Sequence, residues 1–269
     1  MAKKLTEAQI ASYERDGYIC PVDAFSTEQA RAWRAQLEEF ERAEGQKMTR
    51  GHNFKPHLLF PWVDEIVHAP AVLDAVEDLI GPDIRLFHLS VWPKDPGSGA
   101  YVSWHQDATY FALDPVCHVT AWVALTDAPV EAGCMEVVPG SHKGPMLSLF
   151  EGERFTGAVA SDEEKQALAK SIPCVGKAGA VCLMHTKLLH GSAANRSDAS
   201  RGLYICVYTA ADAVPIARNP MPSLNEGRIV RGKEARFARL TEGMVELPKQ
   251  PKSASFFTVQ GQASKKAAE

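Results

Sequence analysis

The sequence predicts a mainly β domain with flanking helices (α+β), its strands forming a sandwich, jelly roll or barrel. Three observations predict it. Residues 1–82 carry paired helix start and stop signals. Over residues 85–210, short runs rich in Val, Ile, Thr and aromatics recur between Gly, Pro and Asp. No internal repeat or inter-domain linker divides the chain. Its 269 residues are therefore expected to form a single domain, with a C-terminal extension over 211–269.

The helical part comes first. Thr6 with Gln9, and Ser26 with Gln29, have the spacing of capping boxes. The second opens a run over 30–44 that stops at Gly45, a residue suited to a left-handed terminus. A third helix is expected over 70–80, with Pro70 in its first turn and Gly81 and Pro82 ending it. Residues 46–64 are rich in His, Phe, Pro and Trp without a period and read as a loop. Strands are expected at 85–93, 101–105, 118–126, 134–138, 172–175, 180–185 and 202–209. One helix interrupts them at 161–170, after a further capping spacing from Ser161 to Glu164.

Bulk properties remove several functions. A net charge of −4 and a pI near 6.2 are not the footprint of a nucleic-acid binder. Lys265 and Lys266 form only a short basic cluster near the end, read as a solvated tail. No run approaches the length of a membrane span, and the first residues lack the apolar stretch of a signal peptide. The six cysteines include no C-x-x-C pair and read as buried, reduced thiols. A cytoplasmic protein is expected, with no nucleic-acid or membrane partner. Oligomeric state is not legible.

The chemistry gathers around His105 and Asp107. On a strand, residues two apart face the same side. A nitrogen and a carboxylate oxygen can then meet one metal, and a distant histidine would complete a face of two His and one carboxylate. Such a face leaves positions open on a six-coordinate Fe(II) for O2. His-x-Asp alone is a weak signal in a chain with nine histidines. A later segment strengthens it: an apolar run ends at His185, followed by His190, Gly191, Ser192 and Asn195, and Arg201 opens the next apolar strand. An arginine there can form a bidentate pair with a carboxylate. Either His185 or His190 could supply the third ligand.

These pieces together resemble the phytanoyl-CoA dioxygenase superfamily of Fe(II)/2-oxoglutarate oxygenases. The matching residues are Trp104 to Asp107 with Tyr110 and Phe111; Ala121 and Trp122; Gly133 and Cys134; Pro139 to Gly144; His190 to Ser192; Asn195; and Arg201. Asp16, Gly17 and Tyr18 match the family's usual beginning. The resemblance implies a double-stranded β-helix, a jelly-roll or cupin-like barrel, with N-terminal helices packed on it. It implies His105, Asp107 and His190 as ligands of Fe(II), with 2-oxoglutarate and O2 as cosubstrates. It favours His190 over His185, which becomes a core or supporting residue. By the same match Arg201 anchors the far carboxylate of 2-oxoglutarate, Ser192 hydrogen-bonds it and Trp122 lines its pocket.

The implied activity is hydroxylation of an unactivated C–H bond in a small-molecule metabolite, releasing succinate and CO2. Halogenating relatives lack the carboxylate that Asp107 keeps. Desaturation or another oxidation on the same iron stays open, as does a non-catalytic barrel binding a metal or ligand. Arg201 and Ser192 weigh against the latter because they serve a cosubstrate. His57, Trp104, Gln106 and Tyr110 are candidate substrate contacts. Segments 54–62, 94–101, 110–113 and 210–231, with Lys94, Arg218 and Arg231, could shape a pocket for a polar or anionic substrate.

Overall fold

The two capping boxes predicted for the N-terminal helices form. Thr6 and Ser26 accept from the backbone N–H of Gln9 and Gln29, whose side chains reach back to the capping backbone. Helices α1 (Glu7–Asp16) and α2 (Thr27–Glu44) then end on left-handed Gly17 and Gly45. Between them lies β1 (Tyr18–Asp23). The computed structural model describes residues 2–48, 50–53, 56–218, 227–243 and 247. Much of the expected C-terminal extension, including Lys265 and Lys266, and parts of segments 54–62 and 210–231 lie outside them.

Residues 46–64 are not a loop throughout. They contain α3 (Arg50–Asn53), a 3-10 turn at Pro56–Leu58 and the start of α4 (Trp62–Val67). Helices this short span too few turns to print a period on the sequence. The expected third helix is α5 (Pro70–Ile80).

The strands follow: β2 (Ile84–Lys94), β3 (Val102–His105), then α6 (Asp107–Phe111), β4 (Leu113–Asp114), β5 (His118–Ala124) and β6 (Met135–Val137). A hairpin, β7 (Phe150–Glu151) and β8 (Arg154–Phe155), precedes α7 (Ser161–Lys170). The last are β9 (Ile172–Cys174), β10 (Ala180–His185), β11 (His190–Ser192), β12 (Arg201–Ala210), β13 (Val214–Pro215) and β14 (Ile229–Arg231). The predicted capping role of Ser161 is not realised. Ala160 occupies the cap position without a side-chain bond, leaving Ser161 inside the first turn.

Among the described residues two larger antiparallel sheets form, six strands in the order β1-β10-β5-β12-β2-β14 and four in the order β3-β11-β6-β9, beside the two-stranded pairs β13-β4 and β7-β8. Three strands of the larger sheets escaped the sequence reading: β1, β11 and β14, the last at the far edge of the six-stranded sheet. β1 is an edge strand whose register shifts between Ile19 and Val22, around Pro21. β11 has three residues, too few for a pattern.

Alternation along the large sheet decides where the site lies. Val119, Ala121 and Val123 of β5, Val181 and Leu183 of β10, and Tyr204, Cys206 and Tyr208 of β12 join a core with α2, α4 and α5. Trp33 of α2, Trp62 of α4 and Val76 of α5 close that core from the helical side. Residues of opposite parity face the small sheet. They include Trp122, Cys182, Met184 and Leu203, which pack with Met135 and Val137 of β6. This second face also carries buried polar groups: His88, Ser90 and Lys94 of β2, and His118 and Thr120 of β5. The curled pair of sheets therefore has a helix-covered apolar outside and a partly polar inside.

Candidate active site

β3 ends on His105 and β11 begins on His190, and the two residues are directly opposite in an antiparallel pair. Opposed residues share a face, and the two rings lie 4.2 Å apart between centroids. Gly191 permits a close approach there, since a Cβ would stand 3.0 Å from the Trp104 ring.

Asp107 reaches the same point by a different route from that predicted. It is not on the strand. Gln106 is extended, with φ −115° and ψ 123°, and Asp107 is the first residue of α6. The Ala108 N–H donates to the Thr186 carbonyl at 2.9 Å and fixes that start. Asp107 Oδ1 is 3.4 Å from His105 Nε2 and 3.7 Å from His190 Nε2. Its Oδ2 accepts from the Thr120 hydroxyl at 3.0 Å.

The ring orientations are set by backbone carbonyls. His105 Nδ1 is 2.7 Å from the Ser103 carbonyl, and His190 Nδ1 is 2.9 Å from that of Leu188. A carbonyl only accepts, so each Nδ1 carries a proton there, and the Nε2 of each ring is left directed at Asp107. Burial pushes His190 down to about 4, and the neighbouring His105 lowers it further. Burial alone would raise the Asp107 carboxyl, but His190, His105 and the Thr120 hydroxyl hold it at about 2. At neutral pH the cluster is thus a neutral His190 beside an ionised carboxylate. Two imidazole nitrogens and one carboxylate oxygen, all within 4.8 Å of one another, fit a ferrous ion.

A second polar constellation shares the barrel. Arg201 Nη1 donates to the Gly133 carbonyl at 2.6 Å and approaches Ser192 Oγ at 3.5 Å. The Ser192 hydroxyl donates to the same Gly133 carbonyl at 2.8 Å. Lys94 Nζ donates to Ser192 Oγ and to the Ala193 carbonyl. Burial, and then the charge of Arg201, lower Lys94 to about 7. Arg201 Nε is buried with no partner. Among the described residues no carboxylate forms a salt bridge with Lys94 or Arg201. A buried guanidinium, a neighbouring lysine, a hydroxyl and an orphaned N–H fit an incoming carboxylate. Trp122 lines the pocket that Arg201 faces, and its ring lies 5.3 Å from that of His190.

The proposed substrate contacts fare differently. Gln106 is used up locally: its amide donates to the carbonyls of Pro145 and Lys187 and accepts from the Leu147 N–H. That makes it a brace of the loops around the cluster. Trp104 alternates with His105 on β3 and packs in a core with Phe87 and Phe111. Tyr110 lies 5.4 Å from the His105 ring, and its hydroxyl donates to the Gly157 carbonyl. His57 sits on the 3-10 turn at Pro56–Leu58, outside the three-residue cluster. His185 is outside it too, with its Nδ1 accepting from the Lys187 N–H and its ring 5.3 Å from His142. Thr120 was missed by sequence reasoning. The available signal was its spacing from Trp122, two residues away on the same face of β5.

Curled antiparallel sheets, flanking helices and a two-histidine, one-carboxylate cluster define the class: the α-ketoglutarate-dependent non-haem iron oxygenases. The family model "Phytanoyl-CoA dioxygenase (PhyH)" matches residues 13–203, and the chain belongs to that family. It is 32% identical over 217 residues to a probable alpha-ketoglutarate-dependent hypophosphite dioxygenase of Stutzerimonas stutzeri, covering 78% of this chain and 73% of that one. The chain spans 53% of a zebrafish (Danio rerio) phytanoyl-CoA dioxygenase domain-containing protein, at 35% identity over 55% of its own length. Among solved structures, the epimerase SnoN, in complex with Fe3+, alpha ketoglutarate and nogalamycin RO, superimposes with a TM-score of 0.68. That match has 26% identity over 88% of this chain and 95% of SnoN. A nickel complex of the non-haem monooxygenase ThoJ matches with a TM-score of 0.67 and 27% identity, over 97% of this chain and 95% of that one.

Proposed function

We propose that this chain is an Fe(II)- and 2-oxoglutarate-dependent dioxygenase that hydroxylates an unactivated C–H bond of a small-molecule metabolite. One substrate oxygen would come from O2, and 2-oxoglutarate would leave as succinate and CO2. The observation that carries this reading is the pairing, in one barrel, of a metal-competent His105–Asp107–His190 cluster with the buried Arg201, whose Nε has no partner and which no carboxylate among the described residues pairs with. The metal, when bound, supplies the O2 and C–H chemistry.

The residues supply position. His105, Asp107 and His190 would hold the ion, with their orientation set by the Ser103 and Leu188 carbonyls and the Thr120 hydroxyl. Arg201 and Ser192 would receive the far carboxylate of 2-oxoglutarate, and Trp122 would wall its pocket. The retained carboxylate of Asp107 supports transfer of oxygen rather than halide. Related proteins named as carbocyclase and epimerase show that other oxidative outcomes occur on similar folds, so the product must be read directly. The hypophosphite relative supports including small anions among the substrates. Among the described residues no helix is long and apolar enough to cross a membrane.

The test is a substrate screen coupled to succinate release, covering small oxyanions, amino acids, aminophosphonates and acyl-CoAs, with products identified by mass. Asp107→Ala is expected to abolish succinate formation and Fe(II) retention. Full turnover in that variant would remove Asp107 from the ligand set.

A further inference from the structure

Three of the six cysteines converge although they are far apart in sequence. Cys20 comes from β1, Cys182 from the neighbouring β10, and Cys174 from β9 of the other sheet. Their sulfurs all lie within 4.8 Å of one another. A trigonal ion with metal–sulfur bonds of about 2.3 Å needs sulfurs about 4 Å apart. The three line one pocket together with Met135, Trp122 and Arg201. Met135 is opposite Cys174 in the β6–β9 pair, and both line this pocket, so a thioether adjoins the thiols. The pocket has a cavity volume of about 30 Å3, room for an ion, and opens in part to solvent. Neither histidine nor carboxylate is among its lining residues.

We propose that Cys20, Cys174 and Cys182 form a second metal site, distinct from the His105–Asp107–His190 cluster, that takes a soft thiophilic cation of the Cu(I) type. Thiolate and thioether donors select such ions over the harder ferrous ion. Binding of Cu(I) forms three copper–sulfur bonds and releases the three thiol protons to solvent, with no change of oxidation state. The product carries two negative charges in the pocket that Arg201 faces. If Arg201 binds 2-oxoglutarate, as proposed above, an occupied site opposes the cosubstrate, and copper acts as an inhibitor.

The experiment uses the full chain, reduced and anaerobic, titrated with chelator-buffered Cu(I). Copper per chain and the ultraviolet thiolate-to-copper absorbance are read together. The expected result is one Cu(I) per chain, lost in Cys20→Ser and Cys182→Ser and retained in Cys117→Ser and His190→Ala. Should the serine variants fail to fold, alkylation of the wild-type protein replaces them, with copper expected to protect Cys20 and Cys174 but not Cys117. No bound copper, copper that survives both serine substitutions, or copper lost in His190→Ala overturns the site. These readouts do not involve 2-oxoglutarate. A KM for 2-oxoglutarate unchanged by bound copper would overturn only the coupling to Arg201.

Discussion

Arg201 shows how a single side chain acquires a role. A buried guanidinium costs free energy unless it is paired, and here its neighbours are a carbonyl, a hydroxyl and a lysine. A charged hydrogen bond contributes roughly 1.5–3 kcal/mol. Arg201→Gln is therefore expected to raise the KM for 2-oxoglutarate by roughly tenfold to a hundredfold. Its kcat at saturating cosubstrate should fall much less. Steady-state succinate kinetics checks this, and an unchanged KM would move the carboxylate site elsewhere. The same scale explains why Gln106 stood out in the sequence for the wrong reason. It adjoins the metal cluster, but its amide is consumed by three backbone partners.

At the scale of elements, the turn before β6 matters more than its length suggests. Gly133 has φ +66°, and its carbonyl receives both Arg201 and Ser192. A Cβ there would stand 2.3 Å from the Ala193 carbonyl oxygen. Gly133→Ala combines a left-handed backbone penalty of about 1–2 kcal/mol with that collision. It is expected to lower the melting temperature by several degrees and to weaken 2-oxoglutarate binding at the same time. A variant with wild-type Tm and KM would show that the turn is not strained. Asp107 belongs to this scale too. Its placement depends on where β3 stops and α6 starts, a boundary that the strand-like reading of His105 and Asp107 overlooked.

At the scale of the whole molecule, burial of histidines couples fold to pH. Burial lowers His118 to about 3 and His185 to about 4. An unfolded chain takes up these protons near pH 6.5. Above that value both states are neutral and the histidines contribute no pH dependence. Below it only the unfolded chain binds the protons, so stability falls as pH drops toward the folded values. Each contributes at most about 1.4 kcal/mol per pH unit. The iron-free protein should lose thermal stability between pH 7 and pH 5, before ordinary carboxylates titrate. A constant Tm over that range would remove both histidines from this account.

Local signals determined much of this protein. Capping boxes, terminal glycines and Pro70 set α1, α2 and α5, because caps act through neighbours three or four residues away. Short runs rich in Val, Ile, Thr and aromatics marked the four central strands of the large sheet, and the spacing of His105 and Asp107 pointed to a metal, while the resemblance to the phytanoyl-CoA dioxygenase family singled out His190 and Arg201. Only the tertiary structure decided which face of each strand is inside. Polar residues such as His88, Ser90, Lys94 and Thr120 alternate with apolar ones as they would on a solvated strand. Here they are 3%, 1%, 3% and 0% exposed, because a second sheet closes over them. Tertiary structure also joined Cys20, Cys174 and Cys182, since strands distant in sequence meet only when two sheets curl together. Periodicity reports a face; what covers that face is decided by elements the local sequence does not contain.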